Sequence, residues 1–211
     1  GTRWRDLNLR MLFERLAPIE YLLIEFDGPV DLSDIGTQPK LRKLHAKCPD
    51  ARVGSEHAFP AVQEAHVRWS ADCTARLLGS SVRDLEWLRP SIADLLPLAH
   101  LKGLESLRVG LTSRLQSLRG LDALPKLFRL VAHDCQQLVE IGVEATCLKP
   151  EFIALHNCRN LSDLTPVRHL QRLRHLELID CAPEVRLPAS IAQKGIGLHV
   201  NPYRVKWVEG L

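Results

Sequence analysis

The chain has 211 residues, of which 45% are hydrophobic, so it is long enough to bury a substantial core. Its 28 basic and 25 acidic residues are spread along the sequence and leave a formal net charge of +3, a balance that does not indicate a nucleic-acid or membrane surface by composition. The sequence contains no run of about 18 apolar residues, so a membrane-spanning helix is not expected.

The first predicted element is a helix near the amino terminus. Leu9, Leu12, Phe13 and Leu16 recur at helical spacing, and the pattern ends before Pro18. We expect residues 1–18 to cover the first layer of the structure that follows. This stretch also lacks the continuous apolar core of a secretory signal.

A repeated apolar pattern follows and continues almost to the carboxyl terminus. Its clearest unit begins at Leu104 and reads LxxLxVxxTxxL, and the next three units carry Cys where this one has Thr112. We define the anchor of each unit as its first inward residue in the LxL segment. Successive anchors are separated by 22, 21, 20, 22, 23, 23, 23 and 22 residues, a regularity that indicates a solenoid. The nine anchors are Leu22, Leu44, Ala65, Leu85, Leu107, Leu130, Ile153, Leu176 and Leu198.

This pattern resembles the leucine-rich repeat, LxxLxLxx(N/C)xL, in the short form of roughly 22 residues found in internalin-type proteins. The consensus is clearest from Val82 to Cys181, whereas the units around Leu44 and Ala65 rest mainly on spacing. The resemblance implies an α/β fold: a curved, right-handed horseshoe with a parallel β-sheet on its concave face and short helical or 3₁₀ segments on its convex face. We expect one domain over 1–211, with about nine repeats in 19–200.

The last predicted element is a carboxyl-terminal cap over residues 201–211. Its apolar residues Tyr203, Val205, Trp207 and Val208 are expected to lie over the last open repeat.

Three cysteines, Cys135, Cys158 and Cys181, stand at equal intervals of 23 residues. The resemblance implies that they and Thr112 point inward and bond backbone groups of the turns as a structural ladder. Equivalent positions in stacked strands lie in a row at about 4.8 Å spacing, whereas zinc needs ligands converging at about 2.3 Å, so we expect no metal there. The chain has six cysteines without CxxC spacing, which favours reduced thiols and a cytoplasmic, reducing compartment over secretion.

Function is expected on the concave face, which the non-leucine positions of each strand should line. Tyr, Trp and Arg contribute most to protein interfaces, so aromatic and arginine side chains are the leading candidates. Trp87 is instead assigned to the core. The predicted partner-binding residues are Tyr21, Phe26, His45, Arg68, Trp69, Arg89, Arg108, Phe128, Phe152, His133 and His156.

The leading hypothesis is a non-catalytic protein–protein interaction module, monomeric on its own and without cofactor. An inhibitor or immunity-type protein and an effector are more specific versions that the sequence does not separate. A second hypothesis is a polyanion or nucleic-acid binder that uses the basic residues of the amino-terminal half, although interspersed acidic residues make it less favoured. A third is a metal-binding protein or enzyme that uses His133 and His156, which lacks a third converging ligand.

Overall fold

The computed structural model of the protein describes residues 19–32, 38–53, 59–142, 150–201 and 204–208. The predicted amino-terminal cap, residues 1–18, lies outside the described residues. One nine-stranded sheet dominates the rest. Its strands are β1 (Tyr21–Glu25), β3 (Lys43–Lys47), β5 (Glu64–Arg68), β6 (Asp84–Leu88), β7 (Ser106–Gly110), β8 (Arg129–His133), β9 (Phe152–His156), β10 (His175–Ile179) and β12 (Gly197–Val200).

The strands of this sheet lie in chain order, and every neighbouring pair is parallel. The nine predicted anchors form one continuous column of paired positions, from Leu22 opposite Leu44 to Leu176 opposite Leu198. The anchor prediction is therefore confirmed, including the units around Leu44 and Ala65 that rested on spacing.

Alternation along each strand separates the core from the surface. In β7, the anchor Leu107 and the residue two positions on, Val109, are both fully buried, while Arg108 between them is exposed. Trp87 occupies the second inward position of β6 and is also fully buried, as predicted. Because side chains alternate between the two faces of a strand, each coil contributes two inward residues and leaves the others outside.

The chain returns between these strands through short segments on the other side of the core. Within the described ranges, these segments include two helices, α1 (Ala71–Leu77) and α2 (Ser190–Gln193), and three 3₁₀ helices at 96–98, 121–123 and 165–169. Short strands complete the return paths and pair with one another rather than with the main sheet. They are β2 (Val30–Asp31) with β4 (Ala51–Arg52), and β11 (Glu184–Pro188) with β13 (Arg204–Val208).

The structure corrects the prediction for Trp69. Its side chain is 3% exposed, and its indole Nε1 donates a hydrogen bond to Thr74 Oγ1 at 2.9 Å, so it belongs to the core and not to a partner-binding surface. The reason is local: Ser70 caps α1 by accepting from the Cys73 backbone N–H, and the helix brings Thr74 under the indole.

The carboxyl-terminal segment extends the coil instead of lying across the last strand of the sheet. Strand β13 pairs in parallel with β11, which places Val205 opposite Val185 and Trp207 opposite Leu187. The Trp207 side chain remains 44% exposed. Tyr203 lies outside the described residues.

Among the residues that the structure describes, no helix combines the length and the apolar character that crossing a bilayer requires.

The anchor column predicts how stability is distributed along the protein. Leu107 is fully buried between neighbours on both sides, whereas Leu198 in the last strand is half-buried. We expect Leu107→Ala to lower the free energy of unfolding by about 2–5 kcal/mol because it leaves a cavity, and Leu198→Ala to lower it by less. Urea unfolding of both variants measures this, and an equal loss at both positions would contradict it.

Candidate functional site

Because the protein is a solenoid of stacked parallel coils, its candidate functional site is a surface built by repetition rather than a single pocket. We call this surface the open face: the side of the nine-stranded sheet that points away from the core, corresponding to the predicted concave face. Three rows of side chains run along it, one residue before, one after and three after each anchor.

Histidines are concentrated on the open face. The chain has nine histidines, and six of them lie in these three rows, which makes imidazole the commonest aromatic group of the surface. Most of them face carboxylates on the same or a neighbouring strand. The six are His45, His66, His133, His156, His175 and His199.

The amino-terminal half of the open face is held by ion pairs between strands. Lys47 Nζ lies 2.9 Å from Glu25 Oε1, and Lys43 Nζ lies 2.7 Å from Glu64 Oε2. The hydrogen bond from Lys47 lowers the pKa of Glu25, and the one from Lys43 lowers the pKa of Glu64. These lysines therefore already have anionic partners, which reduces their availability to a polyanion.

A histidine connects this half to the centre of the face. His66 Nδ1 lies 2.8 Å from Glu86 Oε2, and its Nε2 lies 3.2 Å from Glu64 Oε1. Arg108 Nη1 lies 3.7 Å from the same Glu86 oxygen. The His66 ring also stacks on His45, with 6.3 Å between ring centroids. The result is a charge-balanced row across β3, β5, β6 and β7.

The centre of the open face contains a hollow, because two successive strands, β8 and β9, carry short residues there. Val131 is 8% exposed and Ala154 is 1% exposed, and together they form the floor. Gly110 in β7 leaves room for the His133 imidazole that lies over it, which a Cβ at position 110 would displace. The walls of the hollow are Glu86, Arg108, Arg129, His133, Phe152, His156 and Glu177.

One wall of the hollow is a stack of three side chains. The Arg129 guanidinium carbon lies 4.9 Å from the centroid of the Phe152 ring, and the His175 ring stacks on the opposite side at 4.9 Å with an interplanar angle of 4°. These residues hold the same position in β8, β9 and β10. Stacking fixes their rotamers before any partner binds, which lowers the entropic cost of using them in an interface.

The structure brings some predicted residues together and separates others. Arg108, His133, Phe152 and His156 converge on the hollow. The other predicted residues lie outside the hollow. Tyr21, Phe26 and His45 are in or just after the first two strands of the main sheet, β1 and β3. Arg68 and Arg89 are at the carboxyl ends of β5 and β6, and Phe128, which is 47% exposed, is in the turn before β8. Sequence reasoning did not select Arg129 and His175, although their alignment with Phe152 at one repeat position was a readable signal.

His133 and His156, the residues of the metal-binding hypothesis, each lie close to a carboxylate. His133 and His156 are opposite each other in the sheet, as the spacing predicted. His133 Nδ1 lies 3.1 Å from Asp134 Oδ2, and His156 Nε2 lies 3.3 Å from Glu177 Oε1. Within the described ranges, no three His, Cys, Asp or Glu side chains are arranged to hold a metal ion.

The predicted ladder is present. Each thiol donates to a carbonyl of the preceding coil: Cys181 Sγ to Leu155 O at 3.2 Å, Cys158 Sγ to Ala132 O at 3.8 Å and Cys135 Sγ to Val109 O at 4.0 Å. Thr112 Oγ1 also donates to the preceding coil, but its acceptor is Pro90 O in the turn after β6, at 2.8 Å. These bonds give the buried thiol and hydroxyl donors partners inside the core.

A left-handed residue follows each of five successive strands, β6 to β10. It lies four positions after the anchor, and its φ is between 51° and 57°. The left-handed conformation costs an ordinary L-residue about 1–2 kcal/mol, but Asn and Asp tolerate it better. The five residues are Arg89, Leu111, Asp134, Asn157 and Asp180.

A scan against protein-family models finds no match, and a search of the curated proteins finds none either. Among solved structures, an internalin (InlF) from Listeria monocytogenes str. 4b F2365 is similar to this chain at 14% identity and a TM-score of 0.42, with 83% of this chain and 66% of that chain covered. Internalin C2 from the same organism is similar at 16% identity and a TM-score of 0.47, with 90% and 81% covered. The repeat geometry itself is established by the strand register of this chain.

Three buried thiols, those of Cys48 and of the ladder residues Cys158 and Cys181, are expected to be chemically inert in the folded protein. Burial raises the pKa of Cys48 and that of Cys181 to about 11, and the hydrogen bond with Cys135 together with burial raises the pKa of Cys158. Because the thiolate is the reactive form, iodoacetamide at pH 8 should leave these three thiols unmodified in native protein and modify them in urea. Peptide mass mapping resolves each site. Modification of Cys158 at the same rate in native and unfolded protein would contradict the prediction.

Asp134 should contribute to stability in a pH-dependent way. Hydrogen bonds from Asn157 and His133 lower its pKa in the folded state below the unfolded value of about 3.9. Its ionised form therefore stabilises the fold above that pH, and this contribution is lost as the pH falls through the lower, folded pKa. Asp134→Asn keeps a residue that tolerates positive φ but removes the titration. Urea unfolding from pH 5 to 2 should show a shallower pH dependence than wild type, and parallel curves would refute this.

Proposed function

We propose that this protein is a non-catalytic binding solenoid that holds a partner protein against the open face. The observation that carries the proposal is the central hollow: an apolar floor of Val131 and Ala154 beside the fixed stack of Arg129, Phe152 and His175. An apolar floor surrounded by charged and aromatic groups matches the composition of a protein interface, in which a few Arg and aromatic side chains dominate affinity.

Each coil uses different residues for the core and for the open face, and this separation supports the proposal. The core is complete without the open-face side chains, since the anchor and the second inward residue are buried in strands β3 to β10. The outward residues are therefore under little constraint from folding. Nine strands at about 4.8 Å spacing give a ridge of roughly 40 Å, which is long enough for an interface of standard size.

The alternatives find less support in the geometry. A polyanion binder needs available cations, but Lys43, Lys47, Arg83 and Arg108 each have a carboxylate partner within 4 Å. A metal site at His133 and His156 would have to take these rings from Asp134 and Glu177. The five described cysteines are free and buried, which favours a reducing, cytoplasmic setting. Among the described residues of the open face, none is arranged as a nucleophile with its base, so we propose a binding role rather than a catalytic one.

The proposal predicts that affinity depends on the hollow. Phe152→Ala removes the middle of the stack and Arg108→Ala removes the opposite wall, so the double variant should bind a partner captured from native lysate about 10- to 100-fold more weakly. The matched control is Trp207→Ala/Arg172→Ala, an exposed aromatic and an exposed arginine outside the three rows. Calorimetry with the purified partner measures the affinities.

The control variant should bind as wild type does. Unchanged affinity of the Phe152→Ala/Arg108→Ala variant, with circular dichroism showing it folded, would overturn the proposal. Equal losses for the test and control variants would do the same, because they would place the contact outside the open face.

A further inference from the structure

The left-handed residue is Asn or Asp in three of the five coils that have one, but not in the two neighbouring coils of β6 and β7. After β8, β9 and β10 this position holds Asp134, Asn157 and Asp180, which suit positive φ. After β6 and β7 it holds Arg89 (φ 55°) and Leu111 (φ 57°), which do not. Folding alone does not explain these two residues, because an Asn at either position would satisfy the same backbone.

The two residues lie side by side at the edge where the strands end. With Arg114 they line a hollow of about 470 Å³, which we call the rim hollow, completed mainly by Ser91, Ser113 and Asp134. Leu111 is 43% exposed, and both arginine side chains are exposed. The left-handed backbone at these two positions thus exposes one apolar side chain, Leu111, and one cationic side chain, Arg89, next to a second cation, Arg114.

The charges of the rim hollow are unbalanced. Neither Arg89 nor Arg114 has a carboxylate within 4 Å among the described residues, in contrast to Arg83, Arg108 and Arg186 elsewhere on the chain. The one acidic residue of the hollow, Asp134, is already engaged, because it accepts a hydrogen bond from Asn157 and faces His133 Nδ1 at 3.1 Å. Two guanidinium groups are therefore left without an internal anion.

We propose that the rim hollow binds an acidic segment of a protein partner. Arg89 and Arg114 pair with two of its carboxylates, and Leu111 packs against an apolar side chain between them. Guanidinium groups bind carboxylates through two parallel hydrogen bonds, which fixes the orientation of the segment as well as its charge. This inference rests on the proposed function and extends it, because the rim hollow lies beside the open face and would bind a second element of the same partner.

Stability measurements test whether Arg89 and Leu111 are retained for a reason other than folding. Arg89→Asn and Leu111→Asn should each raise the melting temperature by about 2–4 °C, since Asn relieves the backbone cost. The matched reverse change, Asn157→Leu, should lower it by a similar amount. A lower melting temperature for both Asn variants would overturn the inference, because the original residues would then be serving the fold.

Peptide titration tests the ligand chemistry on the full-length protein. The probe is acetyl-Asp-Glu-Leu-Glu-Asp-amide, its neutral control is acetyl-Asn-Gln-Leu-Gln-Asn-amide, and amide chemical shifts report the site. The acidic peptide should shift the amide resonances of Arg89, Ser91 and 111–114, and Arg89→Asn/Arg114→Gln should weaken its binding at least tenfold. Arg172→Gln, an exposed arginine in the turn before β10, should leave binding unchanged.

Three results would refute the inference: equal shifts with the neutral peptide, shifts confined to other residues, or stronger binding of inorganic phosphate than of the acidic peptide. These experiments distinguish a failure of the rim inference from a failure of the proposed function of the open face. If the captured partner loses affinity for Phe152→Ala/Arg108→Ala but not for Arg89→Asn/Arg114→Gln, the rim inference fails and the proposed function stands. The opposite pattern leaves the rim hollow as the binding site and removes the open face.

Discussion

The structure depends on one constraint: no coil can bury its own inward residues without a neighbour on each side. Leu107 and Val109 are fully buried because the coils of β6 and β8 enclose them, whereas Leu22 and Leu198 in the first and last strands are half-buried. Stability is therefore approximately a sum of contacts between neighbouring coils. Backbone pairing along nine parallel strands and the row of inward thiols both follow from this stacking.

The sequence was sufficient to predict the fold because the residues buried between stacked coils must recur at a regular spacing. The anchor column and the buried Trp87 were readable from spacing, and the resemblance to leucine-rich repeats implied the inward ladder of Thr112 and three cysteines. Trp69 was misplaced because its repeat position faces outward after β6 to β10, where the residue has a positive φ. Trp69 and Cys48, which holds the same position one coil earlier, lack that conformation and are buried. In addition, the helix 71–77 brings Thr74 under the Trp69 indole. A repeat period predicts average environments and does not reveal where individual coils depart from them.

The functional surface was predictable as a surface but not as a set of contacts. Which side chains project from the sheet follows from the alternation of the strands, whereas the hollow depends on several coils at once. Its floor exists because Val131 and Ala154 are short on two successive strands, and its wall includes Arg129 and Phe152, which stack together with His175. Combinations of this kind appear when coils are compared with one another, not when each is compared with a consensus.

The coils differ in length, but their strands in the main sheet hardly do. Every strand from β1 to β10 in the main sheet has five residues, while the distance between successive anchors varies from 20 to 23. Insertions and deletions are thus absorbed by the return segments, where the register of the sheet is not affected. Evolution can lengthen, trim or duplicate a coil at the back of the molecule while the spacing of the side chains on the front stays constant.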